Sequence, residues 1–433
     1  IMYLSLGNSK DIVSFKKALF TGLAPDKSLY FPVQIDKLSN VFWKNLKKMN
    51  TFSLAYEVLK NFTKNEIPKE RLFKIIKNTI DFDFPTVLIE KNLYSLELFH
   101  GPTMAFKDVG AKFMSGCMNY FIETENLKRK ITVLVATSGD TGGAVANGFL
   151  GVDGVDVVIL YPKGRVSEIQ ESQLTTLGKN VSALEIDGYF DECQEMVKKS
   201  FLDSDLNKKL LLTSANSINI ARWIPQVLYY FIAYKNLYTE NLKVVFSVPS
   251  GNFGNLCAGM LAKKMGLPIN HFIASTNEND TIPKFMKTGK YKKQKTISTI
   301  TNAMDVGDPS NFVRILKIYN NNFQNLKKEL TAYSFSDKET ILGMQKLYQK
   351  SKYLLDPHGS IAYLGLKKYL ANKPEETGIF LETAHPIKFL DTVENALNKK
   401  IEIPKHILEL KKKKKTKIGI KDYEELKSFL LSK

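Results

Sequence analysis

The sequence predicts an α/β protein with two parallel β-sheets covered by helices, preceded by a mainly helical segment. Three observations carry this. One unit recurs along most of the chain: an apolar strand, a glycine- or serine-rich loop, then a helix. The strands are apolar on both faces, as in ITVLVA (131–136), which suits sheets covered on both sides. At 433 residues the chain is too long for one simple core.

The elements follow in order. Residues 1–85 read as an N-terminal extension, with VSFKKALFTGL, LAYEVLKNF and FKIIKNTIDF as amphipathic helices and SLYFP as a short extended piece. Residues 86–245 read as a first α/β domain. It opens with the β-rich runs PTVLIE and YSLELF. ITVLVA then leads into TSGDTGG and a helix, VDVVILY into PKGR, and KLLLTS into ANSIN and a long apolar helix. Residues 246–405 read as a second α/β domain, where KVVFSV (starting at Lys243) leads into PSGNFGN and the helix LCAGMLAKKM, and GIFLET leads into AHPIKF. The polar stretch FMKTGKYKKQKTISTI reads as a loose loop, and residues 406–433 as a basic tail. Ligands of such folds bind at the carboxyl ends of the strands, where these loops gather.

Composition narrows the class. Hydrophobic residues at 44% and charged residues at 24% are ordinary for a globular protein. No run of 18 apolar residues occurs, which predicts a soluble, cytoplasmic protein without membrane partners. Cys117, Cys193 and Cys257 form no CxxC pair and read as buried thiols. The five histidines show no ligand spacing, so no catalytic metal is expected, and His358 and His385 read as structural turn histidines. The net charge of +18 raises nucleic-acid binding as an alternative, but lysines are spread throughout and only Lys411–Lys415 forms a block. Arginine is rare, at positions 71, 129, 165, 222 and 314. In such a chain Arg222, set among hydroxyls, suggests a need for a guanidinium fork.

Four loops carry chemistry. Lys107, in FHGPTMAFKDVGAKFM, follows an apolar run and opens a helix, which suits either a snorkelling lysine at a helix N-terminus or an amine meant to react; position alone does not decide between them. SVPSGNFGN, with Gly251, Asn252, Phe253, Gly254 and Asn255 before a helix, reads as a phosphate cradle. ATSGDTGGA offers the hydroxyls of Thr137, Ser138 and Thr141 to a second anion. Asp140 amid them faces either a phenolic hydroxyl or its own helix as an N-cap. TSANSINIAR brings Ser217 and Arg222. A loop lysine with two anion sites suits pyridoxal phosphate chemistry on a phosphorylated substrate.

HGPTMAFKD, ATSGDTG, SANSINIARWIPQ, VPSGNFGN, DVGDPSNF and TAHPIKF occur in the order found in threonine synthases, and FKKALFTGLAPDKSLYFP resembles the N-terminal extension of the bacterial type. The chain therefore resembles the threonine synthase family over nearly its whole length. It departs at Lys27-Ser28, where the family often has a glycine pair. The resemblance implies pyridoxal 5'-phosphate as cofactor and the tryptophan-synthase-β-like fold type II. It implies conversion of O-phospho-L-homoserine and water to L-threonine and phosphate. It places Lys107 at the Schiff-base lysine and Gly251–Asn255 at the cofactor phosphate. Thr383 falls opposite the pyridine nitrogen and Asp140 near the ring hydroxyl. Thr137, Ser138, Thr141, Ser217, Arg222 and Asn252 fall at substrate positions, with Thr137, Thr141, Ser217 and Arg222 for its phosphate. DVGDPSNF receives no role. The alternatives are a phospho-lyase of the same fold releasing 2-oxobutyrate and an inactive nucleic-acid-binding relative. A monomer or homodimer is expected.

Overall fold

The computed structural model describes residues 2–125, 129–239 and 242–433. Two open sheets dominate. The first has five parallel strands, ordered Ile418–Ile420, Val181–Ile186, Val155–Pro162, Ile131–Ala136 and Leu211–Ser214. Its central strand Val155–Pro162 is buried at every position. That is why, apart from Asp156, it reads as a continuous apolar run rather than an alternating one. The second has six strands, ordered Leu330–Ser334, Ile269–Thr276, Val244–Pro249, Thr377–Glu382, Leu93–Glu97 and Thr86–Glu90, parallel except for the last pair.

Two boundaries drawn from the sequence need correction. The hairpin Thr86–Glu97 precedes the first sheet in the chain but lies at the edge of the second, where Leu93–Glu97 pairs with Thr377–Glu382. The chain crosses between sheets only afterwards, through Leu98–Phe106. Residues 406–433 are no tail. They form a helix, an edge strand and a second helix, and Ile418–Ile420 extends the first sheet through Leu184–Ile186. Four lysines of this segment are held by acids: Lys411 by Glu168, Lys415 by Glu171, Lys417 by Glu171 and Glu185, and Lys427 by Asp203 and Asp205.

The N-terminal segment carries the expected helices and a small antiparallel sheet of Ile12–Val13, Tyr3–Ser5 and Tyr30–Pro32. The stretch expected to be loose, residues 285–300, begins inside the helix Thr281–Thr288, and only residues 289–300 lack helix or strand, yet these are pinned. Asn279 and Asp305 bond Ile297 and Thr299 within it. Cys117, Cys193 and Cys257 are buried thiols. No described helix is long and apolar enough to cross a membrane.

Candidate active site

Lys107 is the first residue of the helix Lys107–Glu125. What places it is a seam between the sheets. Ala105 bridges Ala384, Phe106 N–H donates to Thr383 C=O (2.9 Å), and His385 N–H donates to Met104 C=O (3.0 Å). The loop before the lysine is thus clamped to the end of Thr377–Glu382, which brings Lys107 beside Thr383. Met104 takes a left-handed conformation, φ 57°, an uncommon state for a side chain of its size and one that tertiary contacts must hold. Asp108 secures the same loop by accepting Thr103 N–H (2.9 Å) and Thr103 Oγ1 (2.5 Å).

One cavity collects the loops. Lys107, Thr137, Ser138, Asp140, Thr141, Ser217, the run Gly251–Asn255 and Thr383 all line it. Burial lowers the Lys107 amine to about 8; Asp140 opposes this, while Lys388 and Arg222 reinforce it. An amine with that pKa is partly neutral near pH 7, as a nucleophile or base must be.

The loop Ser250–Phe253 leads straight into a helix. The helix Gly254–Lys264 starts here, and its first N–H to take the i−4 carbonyl is that of Cys257, onto Phe253 (3.0 Å). The N–H groups before it are those a helix leaves for an anion. Phe253, φ 63°, supplies the turn. Gly251 also makes a close approach: a Cβ there would lie 2.8 Å from Met304 Cα and 2.9 Å from Ala303 C=O. The glycine lets this loop close onto the turn Asn302–Met304.

Asp140 is not an N-cap. Gly139, φ 135°, holds that position and Asp140 begins the helix. Its burial would push the carboxyl up, but Lys388 and then Lys107 outweigh this and hold it well below the usual carboxylate range. Lys388 Nζ lies 2.7 Å from Asp140 Oδ1, and Gln170 Nε2 donates to the same oxygen (3.0 Å). Thr137 is 1% exposed and accepts from Gly139 N–H and Gly142 N–H (2.9 and 2.8 Å), so its oxygen shapes the loop.

Arg222 departs from expectation. It does not line the cavity. It is buried against Gly110, donates Nη1 to Ala215 C=O, and leaves Nε without a partner. Its helix starts at Ile220, four residues after Asn216, and its Nη1 turns back onto Ala215 behind the loop that holds Ser217.

Several residues of the site escaped the sequence. Lys388 is fully buried and joins Asp140 to Thr103 C=O (2.7 Å). Asn311, from the motif without a role, donates Nδ2 to Ser217 Oγ (3.3 Å) and N–H to Asn252 C=O (3.1 Å). It joins the cradle to the opposite loop. Ser310 Oγ reaches Asn252 Oδ1 (3.2 Å). His358, read as structural, lines the cavity. The signals available were polar residues within DVGDPSNF and the lysine in TAHPIKF, but in a chain this rich in lysine the latter does not stand out.

The cavity fits pyridoxal phosphate. Eleven buried side-chain polar atoms among the described residues lack a partner, and five of them belong to its lining: Asn216 Oδ1, Gln226 Oε1, Asn255 Nδ2, Asn302 Oδ1 and His358 Nε2. Buried polar groups are normally paired, so such a concentration marks a place that a polar ligand completes. No group of three or more His, Cys, Asp or Glu suited to a metal occurs among the described residues.

Comparison with known proteins agrees. Residues 87–380 match the family model of pyridoxal-phosphate-dependent enzymes, residues 2–80 that of the threonine synthase N terminus, and residues 361–430 that of the threonine synthase C-terminal region. Threonine synthase of Buchnera aphidicola subsp. Acyrthosiphon pisum is 44% identical over 405 residues, covering 93% of each chain. That of Escherichia coli K12 is 40% identical, covering 94% of this chain and 93% of its own. The crystal structure of Escherichia coli threonine synthase superposes with a TM-score of 0.92 at 38% identity over the whole of both chains. The pyridoxal-phosphate-bound Brucella melitensis threonine synthase also gives 0.92, at 33% identity, covering 99% of this chain and 98% of its own. Fold, cavity and likeness along the full length converge: the chain belongs to the threonine synthase family of pyridoxal-phosphate-dependent enzymes.

Proposed function

We propose that this protein converts O-phospho-L-homoserine and water to L-threonine and phosphate. The observation that carries the reading is one cavity holding an enclosed lysine amine with a lowered pKa, a helix-borne phosphate cradle and a separate hydroxyl-rich wall. Pyridoxal phosphate, when bound, supplies an electron sink for the carbons next to the substrate amine.

The chain supplies the rest. Gly251–Asn255 and the helix behind them hold the cofactor phosphate. The Thr383 hydroxyl serves the ring nitrogen without adding charge. Asp140, kept ionised by Lys388, accepts a hydrogen bond from the ring hydroxyl. Lys107 takes the proton from substrate Cα and later returns it. Ser138, Thr141, Ser217 and Asn252 line the wall that orients the substrate and its phosphate. Arg222, charged behind that wall, adds positive potential where negative charge develops on the departing phosphate.

The test is product analysis. Holoenzyme given O-phospho-L-homoserine should release threonine and phosphate in equal amounts, and Lys107→Ala should release neither. Phosphate accompanied by 2-oxobutyrate instead of threonine would overturn the synthase assignment while leaving the site intact.

A further inference from the structure

His358 is 3% exposed and lines the cavity at the first turn of the helix Pro357–Leu370. Its Nδ1 lies 2.6 Å from Asp356 Oδ2, while its Nε2 has no partner. Phe389 packs on the ring, centroids 4.8 Å apart, and fixes its plane. Behind stands Glu382, which accepts Asp356 N–H (2.7 Å) and is itself fully buried. Gly359 is what lets Glu382 come so close, since a Cβ there would meet Glu382 Oε2 at 1.4 Å. Glu382 directly precedes Thr383, so His358 and Thr383 approach the cavity from neighbouring positions.

This is a built arrangement. A carboxylate on Nδ1 fixes the tautomer, which leaves the lone pair on Nε2, an atom without a protein partner on a residue that lines the cavity. Burial, with Asp356 second, pushes the Glu382 carboxyl well above its usual value, so Glu382 adds little charge at the ring. A solely structural histidine would be expected to spend both nitrogens on the protein, because an unpaired buried nitrogen is unfavourable.

We propose that His358, oriented by Asp356 and Glu382, is a second proton-holding group of this active site, exchanging a proton through Nε2 with the molecule bound in the cavity. The inference rests on the cavity being the cofactor and substrate site. The chemistry needs such a group. Cα and Cβ each lose a proton, the Cγ–O bond breaks and phosphate leaves with its electron pair. Cγ gains a proton, water adds its hydroxyl to Cβ and releases a proton, and Cα regains one. Of the three protons freed, two return to carbon and one ends on phosphate. Lys107 alone stores one proton at a time.

The test uses the holoenzyme and three variants. His358→Asn keeps a donor for Asp356 but cannot reach the cavity. His358→Gln places a non-titrating amide there. Asp356→Asn removes the orienting charge. Groups facing the imidazole are Asp356 from its own turn, Glu382 from the strand, Asp305 from the 291–311 loop, and His385 and Lys388 from the turn before Phe389, so the readout must be differential. The absorbance of bound cofactor is titrated with pH, with and without O-phospho-L-homoserine, alongside kcat and KM. We expect the absorbance midpoint to move by about half a pH unit or more in both His358 variants, and kcat to fall about 100-fold with KM within about threefold. Asp356→Asn should act the same way. Coincident absorbance titrations in the wild type and both His358 variants, with kcat retained, would overturn the proposal, as would full rescue by Gln. The absorbance readout needs no turnover, so failure of the synthase reaction itself is recognised separately, in the wild type.

Discussion

Lys107 shows how a common residue becomes a special one. The chain has many lysines, and most are solvated. This one is enclosed with its amine lowered to about 8, burial being the main cause. The neutral amine attacks a carbonyl, and it becomes the dominant form as pH rises through that value. Capture of pyridoxal phosphate by the apoprotein, followed by absorbance, should therefore rise about tenfold per pH unit below about 8 and level off above it. Lys107→Ala should never develop the bound-cofactor band. A rate that still climbs towards pH 10 would mean that the amine behaves as an ordinary lysine. The loop around Lys107 was legible because its signal is local: an apolar run, a turn and a helix start within a few residues. Lys388 was not. Its partners Thr103 and Asp140 lie far away in sequence, 285 positions in the case of Thr103, and nothing near it announces burial.

Between elements, the same contrast recurs. Strand, loop and helix units were readable because each is one stretch of hydrophobic periodicity with its own breaker. The ties between units were not, and Arg314 is the clearest tie. It is fully buried. It donates to Tyr30 C=O from Nε and Nη2 (3.1 and 3.0 Å), to Ile218 C=O (2.6 Å) and to Asn311 Oδ1 (2.7 Å), with its guanidinium over Trp223 at 4.5 Å. The fork thus joins the N-terminal sheet, the Ser217 loop and the motif that had no role. Arg314→Met would leave Tyr30 and Ile218 carbonyls unpaired, each at about 1–3 kcal/mol. The variant should lose about 3 kcal/mol of stability in urea, and its KM for O-phospho-L-homoserine should rise because Ser217 loses its support. Arg314→Lys should not rescue it, since one ammonium cannot span three elements. Retention of wild-type stability in both variants would show that the N-terminal segment docks without this tie.

For the whole molecule, charge and burial give opposite accounts of the last 28 residues, 406–433, and magnitudes decide between them. As a sequence they look like a basic appendage. In the fold, Ile420, Leu426 and Leu430 are at most 4% exposed and pack on Val158, Leu160 and Leu184 of the first sheet. Burying three such side chains contributes about 5–9 kcal/mol, comparable with the total stability of a domain. The lysine ion pairs to Glu168, Glu171 and Glu185 are partly exposed, so each contributes about 1 kcal/mol or less. The segment is therefore held by its apolar face. Removing residues 406–433 would also strip the edge strand Ile418–Ile420 and leave Val181–Ile186 with an unpaired, apolar edge, a template for aggregation. The truncated chain should be recovered insoluble or melt far below the intact protein, although the segment contributes no residue to the cavity lining. Changing Lys411, Lys415 and Lys417 together to alanine should lower the melting temperature by only a few degrees and leave cofactor binding unchanged. A soluble truncated chain that binds cofactor normally, or a triple alanine variant that fails to fold, would reverse this ranking of apolar burial over charge.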